Sequence, residues 1–245
     1  MKSLVCISHV PDTTTKIKYT ADGQALDPTG VTFIINPYDE FGLVRAIEFK
    51  EQSGQGNITV LCVGGLEVEP TLRKALAIGA DDAVRVDAQP QDGMSVAEII
   101  ASYARGKGFD FIFFGKESID SNGSEVPGMV AELLDLPFVS QAIKLDVDGG
   151  KAKVQREISG GYEALEATLP LVLSCQKGIA EWRIPNMRGI MMSKTKPLQV
   201  VNPEAVAPAV NTVRFDLPEA KTGCTYIAPE EAEKLVDILF QKGLI

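Results

Sequence analysis

The sequence holds a single histidine, His9, and only four cysteines, Cys6, Cys62, Cys175 and Cys224, which lie far apart. One histidine leaves no partner for a two-histidine metal site and weakens any reading as a Ser-His-Asp hydrolase. There is no CxxC pair, hence neither a redox dithiol nor a zinc-ligand spacing, and three of the cysteines fall in apolar runs where a reduced thiol serves as a small core residue. Basic residues are also few: 24 Lys and Arg against 33 Asp and Glu give a formal net charge of −9. That balance argues against nucleic acid, whose phosphates require clustered cations. No stretch approaches the roughly 18 uninterrupted apolar residues of a membrane span. The opening Met1-Lys2-Ser3-Leu4-Val5-Cys6-Ile7 is a buried-strand pattern too short for a signal sequence. The expectation is a soluble, cytoplasmic protein with no nucleic-acid contact and no membrane insertion.

The familiar nucleotide signatures are missing too. Gly54-Gln55-Gly56 stands between a helical pattern and a strand, the reverse of a dinucleotide fingerprint, and no G-x-x-x-x-G-K-[ST] occurs. An ordinary dehydrogenase or NTPase is disfavoured.

What is present is an alternation of strand and helix. Apolar runs without a period of two occur at Leu4–Val10, Val31–Ile35, Ile58–Val63, Ala83–Val86 and Phe109–Phe114, the pattern of strands covered on both faces. Between them Phe41, Val44 and Ile47, then Leu72, Ala75 and Leu76, then Val96, Ile99, Ile100, Tyr103 and Ala104 form helical stripes. The fold class expected is α/β: a mostly parallel, Rossmann-like sheet with helices on both faces, whose ligand sits beyond the carboxyl ends of the strands. From about Pro137 the pattern changes. Val139–Leu145, Lys151–Glu157, Tyr162–Thr168 and Leu171–Cys175 are strand-like, with a hairpin turn at Asp148-Gly149-Gly150, and are expected as antiparallel edge strands. Past Ala180 some forty residues show no period and are punctuated by prolines. Such a stretch is unusual in an isolated domain and is expected to be an arm, Glu181 to Thr222, that packs on another subunit. A final helix carries Ala232, Leu235, Val236, Leu239 and Phe240 on one face and stops at Gly243.

The segment Gly115-Lys116-Glu117-Ser118-Ile119-Asp120-Ser121-Asn122-Gly123-Ser124 follows a strand and leads into a helix bearing Val126, Val130, Leu133 and Leu134. Free N–H groups at such a junction, with the helix dipole, can hold a phosphate. A plain loop with Ser124 as N-cap fits the residues equally well, and Glu125 would compete with an anion. Residue chemistry alone likewise leaves Met187 open between exposed anchor and local packing. It favours a solvated strand-end charge for Glu163.

Six segments in register go further. They are His9-Val10-Pro11-Asp12-Thr13, Ile35-Asn36-Pro37-Tyr38-Asp39-Glu40, Leu72 to Asp81, Gly115-Lys116-Glu117-Ser118-Ile119-Asp120, Arg156 to Glu163, and Lys242-Gly243-Leu244-Ile245. Over nearly the whole chain the sequence resembles the β subunits of electron-transfer flavoproteins. The resemblance implies an electron carrier without a catalytic site, paired with an α subunit that holds most of an FAD. It also implies a structural AMP, electron donors such as acyl-CoA dehydrogenases of fatty acid oxidation, and a quinone oxidoreductase as acceptor. Bifurcating relatives place a second FAD at the AMP position and react with NADH.

Carried over residue by residue, the resemblance assigns cofactor binding to Cys6, Asn36, Tyr38, Val63, Asp120, Ser121, Asn122, Gly123, Ser124, Glu125 and Val126. Thr13 stands where some relatives set a tyrosine against the flavin ring. Ser124-Glu125-Val126-Pro127 replaces an Asn-Gln-Thr-Gly run of AMP-type members, and Asp120-Ser121-Asn122-Gly123 an Asp-Gly-Asp-Thr run of bifurcating ones. Met187 takes the place of a leucine that docks dehydrogenases, and Glu163 that of a glutamate pairing with an arginine of the mobile flavin domain. Two parts follow: a nucleotide-binding domain over 1–180, and a recognition loop, partner-wrapping arm and helix over 181–245. A competing reading, an adenine-nucleotide-binding stress or hydrolase-like domain, fits the first 136 residues but leaves the arm unexplained.

Overall fold

The computed structural model describes residues 1–221 and 223–245. Nine strands form one sheet in the order β11-β5-β4-β1-β6-β10-β7-β8-β9. Its centre is β1 (Lys2–Cys6), flanked in parallel by β4 (Asn57–Val63) and β6 (Phe111–Gly115). Outside β4 lies β5 (Asp82–Val86), again parallel. The Leu4–Val10 run divides: β1 ends at Cys6, and β2 (His9–Pro11) pairs antiparallel with β3 (Phe33–Ile35) in a separate ribbon.

Alternation along the central strands feeds two cores. Val5, Phe111 and Phe113 face one cluster, which takes Leu43, Val44 and Ile47 of α1 (Pro37–Ser53) and Leu72, Ala75 and Leu76 of α2 (Glu69–Ile78). Leu4, Cys6, Ile112 and Phe114 face the other, with Ile99 and Ile100 of α3 (Gly93–Ala104) and Val130 of α4 (Val126–Leu134). Each strand is therefore covered on both faces, which is why its sequence is an unbroken apolar run. Fully burying one such side chain is worth about 1.5–3 kcal/mol.

Two expectations are corrected. Leu171–Cys175 is not an antiparallel edge strand: as β10 it lies inside the sheet, parallel to both β6 and β7 (Phe138–Asp148), with all five residues buried. The antiparallel part of the main sheet is β8 (Lys151–Ile158), which runs opposite to both β7 and β9 (Gly161–Thr168). The stretch after Ala180 is not free of elements either. It contains α5 (Met187–Ser193) and β11 (Leu198–Val201), which joins the main sheet beside β5. Seven and four residues are too short for a period to show in sequence. Thr222, the last residue of the expected arm, lies outside the described residues. The chain ends in α6 (Glu233–Gln241), none of whose residues is buried; Phe240 is 74% exposed. Among the described residues no helix is long and apolar enough to cross a membrane.

Candidate functional site

The strand order reverses at β1: the chain leaves it toward β4 on one side and returns to β6 on the other. Beyond the carboxyl ends of such a pair the connecting segments part and leave a crevice. A cleft of about 920 Å³ lies there, bounded by Cys6–His9 after β1, Val63–Gly64 after β4, Phe114–Gly115 and Glu117–Ser121 after β6, and the start of α4. One wall, built from Cys6, Leu61, Val63, Val96, Ile100 and Phe114, is apolar.

Four helices, α1 to α4, begin at this rim, and among the described residues only α3 of these has a side-chain cap on its first turn. At α1, Asp39 is buried and accepts from Ser8 N (2.7 Å) and Gly115 N (2.7 Å), tying the ends of β1 and β6 to the first helical turn. Burial pushes the Asp39 carboxyl up to about 7, against the hydrogen bonds from Ser8, Asn36 and Gly115 that pull it down. At α3, Asp92 Oδ1 accepts from Ser95 N (2.8 Å) in a capping box. The N-terminus of α4 has no side-chain cap. Its N-cap is Glu125, not Ser124, since the helix begins at Val126. The Glu125 carboxylate leans toward α3: an added Cβ on Gly93 would lie 2.4 Å from its Oε1.

The electrostatics are one-sided. Asp12, Asp39, Glu67, Asp92, Glu117, Asp120 and Glu125 all line the cleft, and among the described residues no lysine or arginine does. His9 also lines it, stacked on Phe33 with ring centroids 4.4 Å apart and Nδ1 2.7 Å from Thr71 Oγ1. Burial lowers its pKa from the ordinary histidine value, against the pull of Glu67. Burial, then the nearby Asp39, hold the Cys6 thiol well above its usual range. An anion here must therefore rely on backbone N–H groups and the α4 dipole.

Of the residues expected around a cofactor, Cys6, Thr13, Val63, Asp120, Ser121, Gly123, Glu125 and Val126 line the cleft. Asn36 does not: it is buried beneath the loop, donating to Glu117 O (2.8 Å) and accepting from Ile119 N (3.3 Å), and so sets the loop's position from below. Tyr38, Asn122 and Ser124 are also outside the lining. Tyr38 lies under Lys116 Nζ, 4.7 Å from its ring centroid, while Ser124 is exposed. Residue-by-residue reading missed Asp39, Glu67 and Phe33, and also Thr212 and Phe215, which reach the cleft from the C-terminal arm. No periodicity marks them; Asp39 alone stood inside one of the six landmark segments.

The electron transfer flavoprotein domain matches residues 25–206. The electron transfer flavoprotein subunit beta of Bacillus subtilis is 34% identical over 250 residues, covering 98% of this chain and 96% of that protein. Its counterpart in Syntrophomonas wolfei is 36% identical over 231 residues (94% and 91%), and that of Dictyostelium discoideum 30% over 250 residues (100% and 99%). The chain belongs to the electron-transfer flavoprotein β-subunit family.

Two features of this family member lie outside the cleft. Met187 opens α5 and is 75% exposed, but it is not alone: Trp182, Ile184 and Met191 are also largely exposed. The segment is tied down from behind. Arg183 donates to both carboxylate oxygens of Glu51 (2.8 and 3.0 Å), and Arg73 Nη1 donates to Ser193 O (2.7 Å) and Lys196 O (2.8 Å). Glu163, on β9, sits opposite Arg156 of β8 and accepts from its Nε at 2.6 Å. It is thus a partnered strand residue in this chain.

Proposed function

We propose that the chain is the β subunit of a heterodimeric electron-transfer flavoprotein that carries electrons from dehydrogenases, such as acyl-CoA dehydrogenases, toward a quinone oxidoreductase, without a catalytic centre of its own. The observation that carries this reading within the family is the cleft at the β1/β6 crossover. Its apolar wall of Cys6, Leu61, Val63 and Phe114 suits an adenine, and the uncapped start of α4 suits a monophosphate. The lining carboxylates disfavour a ligand with more phosphate charge. AMP fits these residues, as a structural ligand that fills the cleft and fixes the loop 117–126.

The FAD, held mainly by the α subunit, supplies the electron-carrying ring when bound. This chain's part is support: Thr13 on the cleft rim borders the flavin side, and Glu163 latches the mobile flavin domain. Because Arg156 already holds Glu163, an incoming arginine would share or displace it. An exposed pair of this kind is worth about 0–1 kcal/mol, weak enough to open in each cycle. The exposed face of α6 and the arm after Phe215 wrap the α subunit, and Met187, with Trp182 and Ile184 beside it, docks the electron donors. Co-expression with the α subunit tests this reading: one FAD and one AMP per heterodimer are expected, and failure to associate would overturn it.

A second reading has one observation in its favour. The cleft is near the upper end of the roughly 300–1,000 Å³ usual for ligand pockets, more room than a mononucleotide needs. A second FAD would use that room, as in a bifurcating flavoprotein reacting with NADH, and would appear as two flavins per heterodimer.

A further inference from the structure

The C-terminal arm crosses the mouth of the cleft. On one side Asp92 divides its carboxylate: Oδ1 caps α3, while Oδ2 accepts from Ala209 N (2.6 Å) and Val210 N (2.8 Å). On the other side Phe215 N donates to Gly23 O (2.8 Å), Gln24 Nε2 donates to Val213 O (3.1 Å), and the Phe215 ring stacks on Tyr19 with centroids 5.1 Å apart and planes 16° from parallel. Asp92 and Tyr19 both line the cleft, as do Thr212 and Phe215 between and beside them. The segment is thus fastened at two separate points of the cleft lining and itself forms part of that lining between them. Gly23 makes the close approach possible: it has φ +67°, and a Cβ there would lie 3.0 Å from Arg214 Cγ and 3.3 Å from Phe215 O.

We propose that Ala209–Phe215 is a strap that closes the nucleotide cleft, and that a bound nucleotide exchanges only when the strap lifts from Asp92 and from the turn at Tyr19–Gln24. The inference rests on the reading of the cleft as a nucleotide site. The fastenings suit a part that opens. They are a few backbone hydrogen bonds and one half-exposed aromatic stack, with no apolar side chain of the strap buried, and contacts of that kind open well below the free energy of global unfolding.

The test follows exchange of bound AMP for isotope-labelled AMP in the purified heterodimer, alongside trypsin cleavage after Arg214, a site within the strap. Phe215→Ala removes the stack and should speed exchange roughly three- to tenfold, with faster cleavage at Arg214. Phe215→Tyr, which keeps the ring, should behave as wild type. Gly23→Ala pushes on the strap from the body of the protein and should act in the same direction as Phe215→Ala. Faster cleavage at Arg214 with unchanged AMP exchange in both loosened variants would overturn the strap's control of the cleft. A wild-type heterodimer that binds no AMP would overturn the nucleotide reading instead.

Discussion

Gly115→Ala puts the geometry of the crossover point to a quantitative test. Gly115 ends β6 and is buried, and a Cβ there would lie 2.5 Å from Asp39 Oδ1, 2.6 Å from Tyr38 Cβ and 2.8 Å from Asp39 N. Tyr38 Cβ and Asp39 N move only with the backbone, and the Asp39 carboxyl is held by Ser8 N as well as Gly115 N. The first turn of α1 cannot back away cheaply, because Asn36 at its N-cap is bonded to Glu117 O and Ile119 N. Overpacking of this kind costs about 1–3 kcal/mol. The added methyl also displaces the 2.7 Å bond from Gly115 N to Asp39, and a typical intramolecular hydrogen bond is worth about 0.5–1.5 kcal/mol. Together the loss is about 1.5–4.5 kcal/mol, a large fraction of the ~5–15 kcal/mol that holds a domain folded. Gly128→Ala supplies the contrast: inside α4 its Cβ would meet Phe138 Cε1 at 3.6 Å, ordinary contact, and replacing a helical glycine by alanine gains up to about 1 kcal/mol. Urea unfolding of the two variants should move the midpoint in opposite directions. A Gly115→Ala midpoint at or above wild type would refute the account of how α1 seats on β1 and β6.

Asp39 also predicts a pH dependence. Its carboxyl keeps a proton up to about 7 when folded but loses it near 4 when unfolded. Stability is therefore highest below about pH 4 as far as this group is concerned, and falls as pH rises to about 7 with a slope of up to ~1.4 kcal/mol per pH unit. Asp39→Asn should flatten that slope in urea melts from pH 4.5 to 7.5, and an unchanged slope would show that Asp39 is not its source. Ser124→Asp adds a charge beside the uncapped start of α4 and should empty the cleft of AMP with the circular dichroism unchanged; full AMP content would place the phosphate elsewhere. Met187→Ala should weaken donor binding with flavin content and assembly intact, by on the order of 2 kcal/mol for a central anchor. Because Trp182 and Ile184 are exposed beside it, Trp182→Ala is the necessary companion. Titration of reduced dehydrogenase against each variant shows which side chain dominates, and equal loss of flavin and transfer in Met187→Ala would mean it packs within the dimer.

How much could be seen beforehand depended on whether a signal was local. The central strands and α3 were legible because burial on both faces, or on one helical face, leaves a period in the residues themselves: Ile99 and Ile100 pack as their spacing predicts. The placement of β10 was not, since an apolar run such as Leu171–Cys175 looks the same beside β6 or at an edge, and only pairing over some sixty residues decides between them. Within the site, Cys6, Val63 and the loop residues Asp120, Ser121 and Gly123 came from the family resemblance. The acidic lining was legible only in part: Asp120 and Glu125 came from the resemblance, whereas Glu67 and Asp92 lie on separate connections that meet only in the folded chain. Asn36 shows the opposite failure: its position in a landmark was right, but its side chain supports the loop rather than facing the cleft. Phe215 could not be anticipated at all, being one aromatic in an aperiodic arm.

The cofactor content of the chain purified together with its α subunit tests the central claim most directly. Absorbance and mass spectrometry of the nucleotides released on denaturation should give one FAD and one AMP per heterodimer. Two FAD and no AMP would contradict the AMP assignment and establish the cleft as a second flavin site, and a chain that never associates with an α subunit would contradict the proposed role altogether.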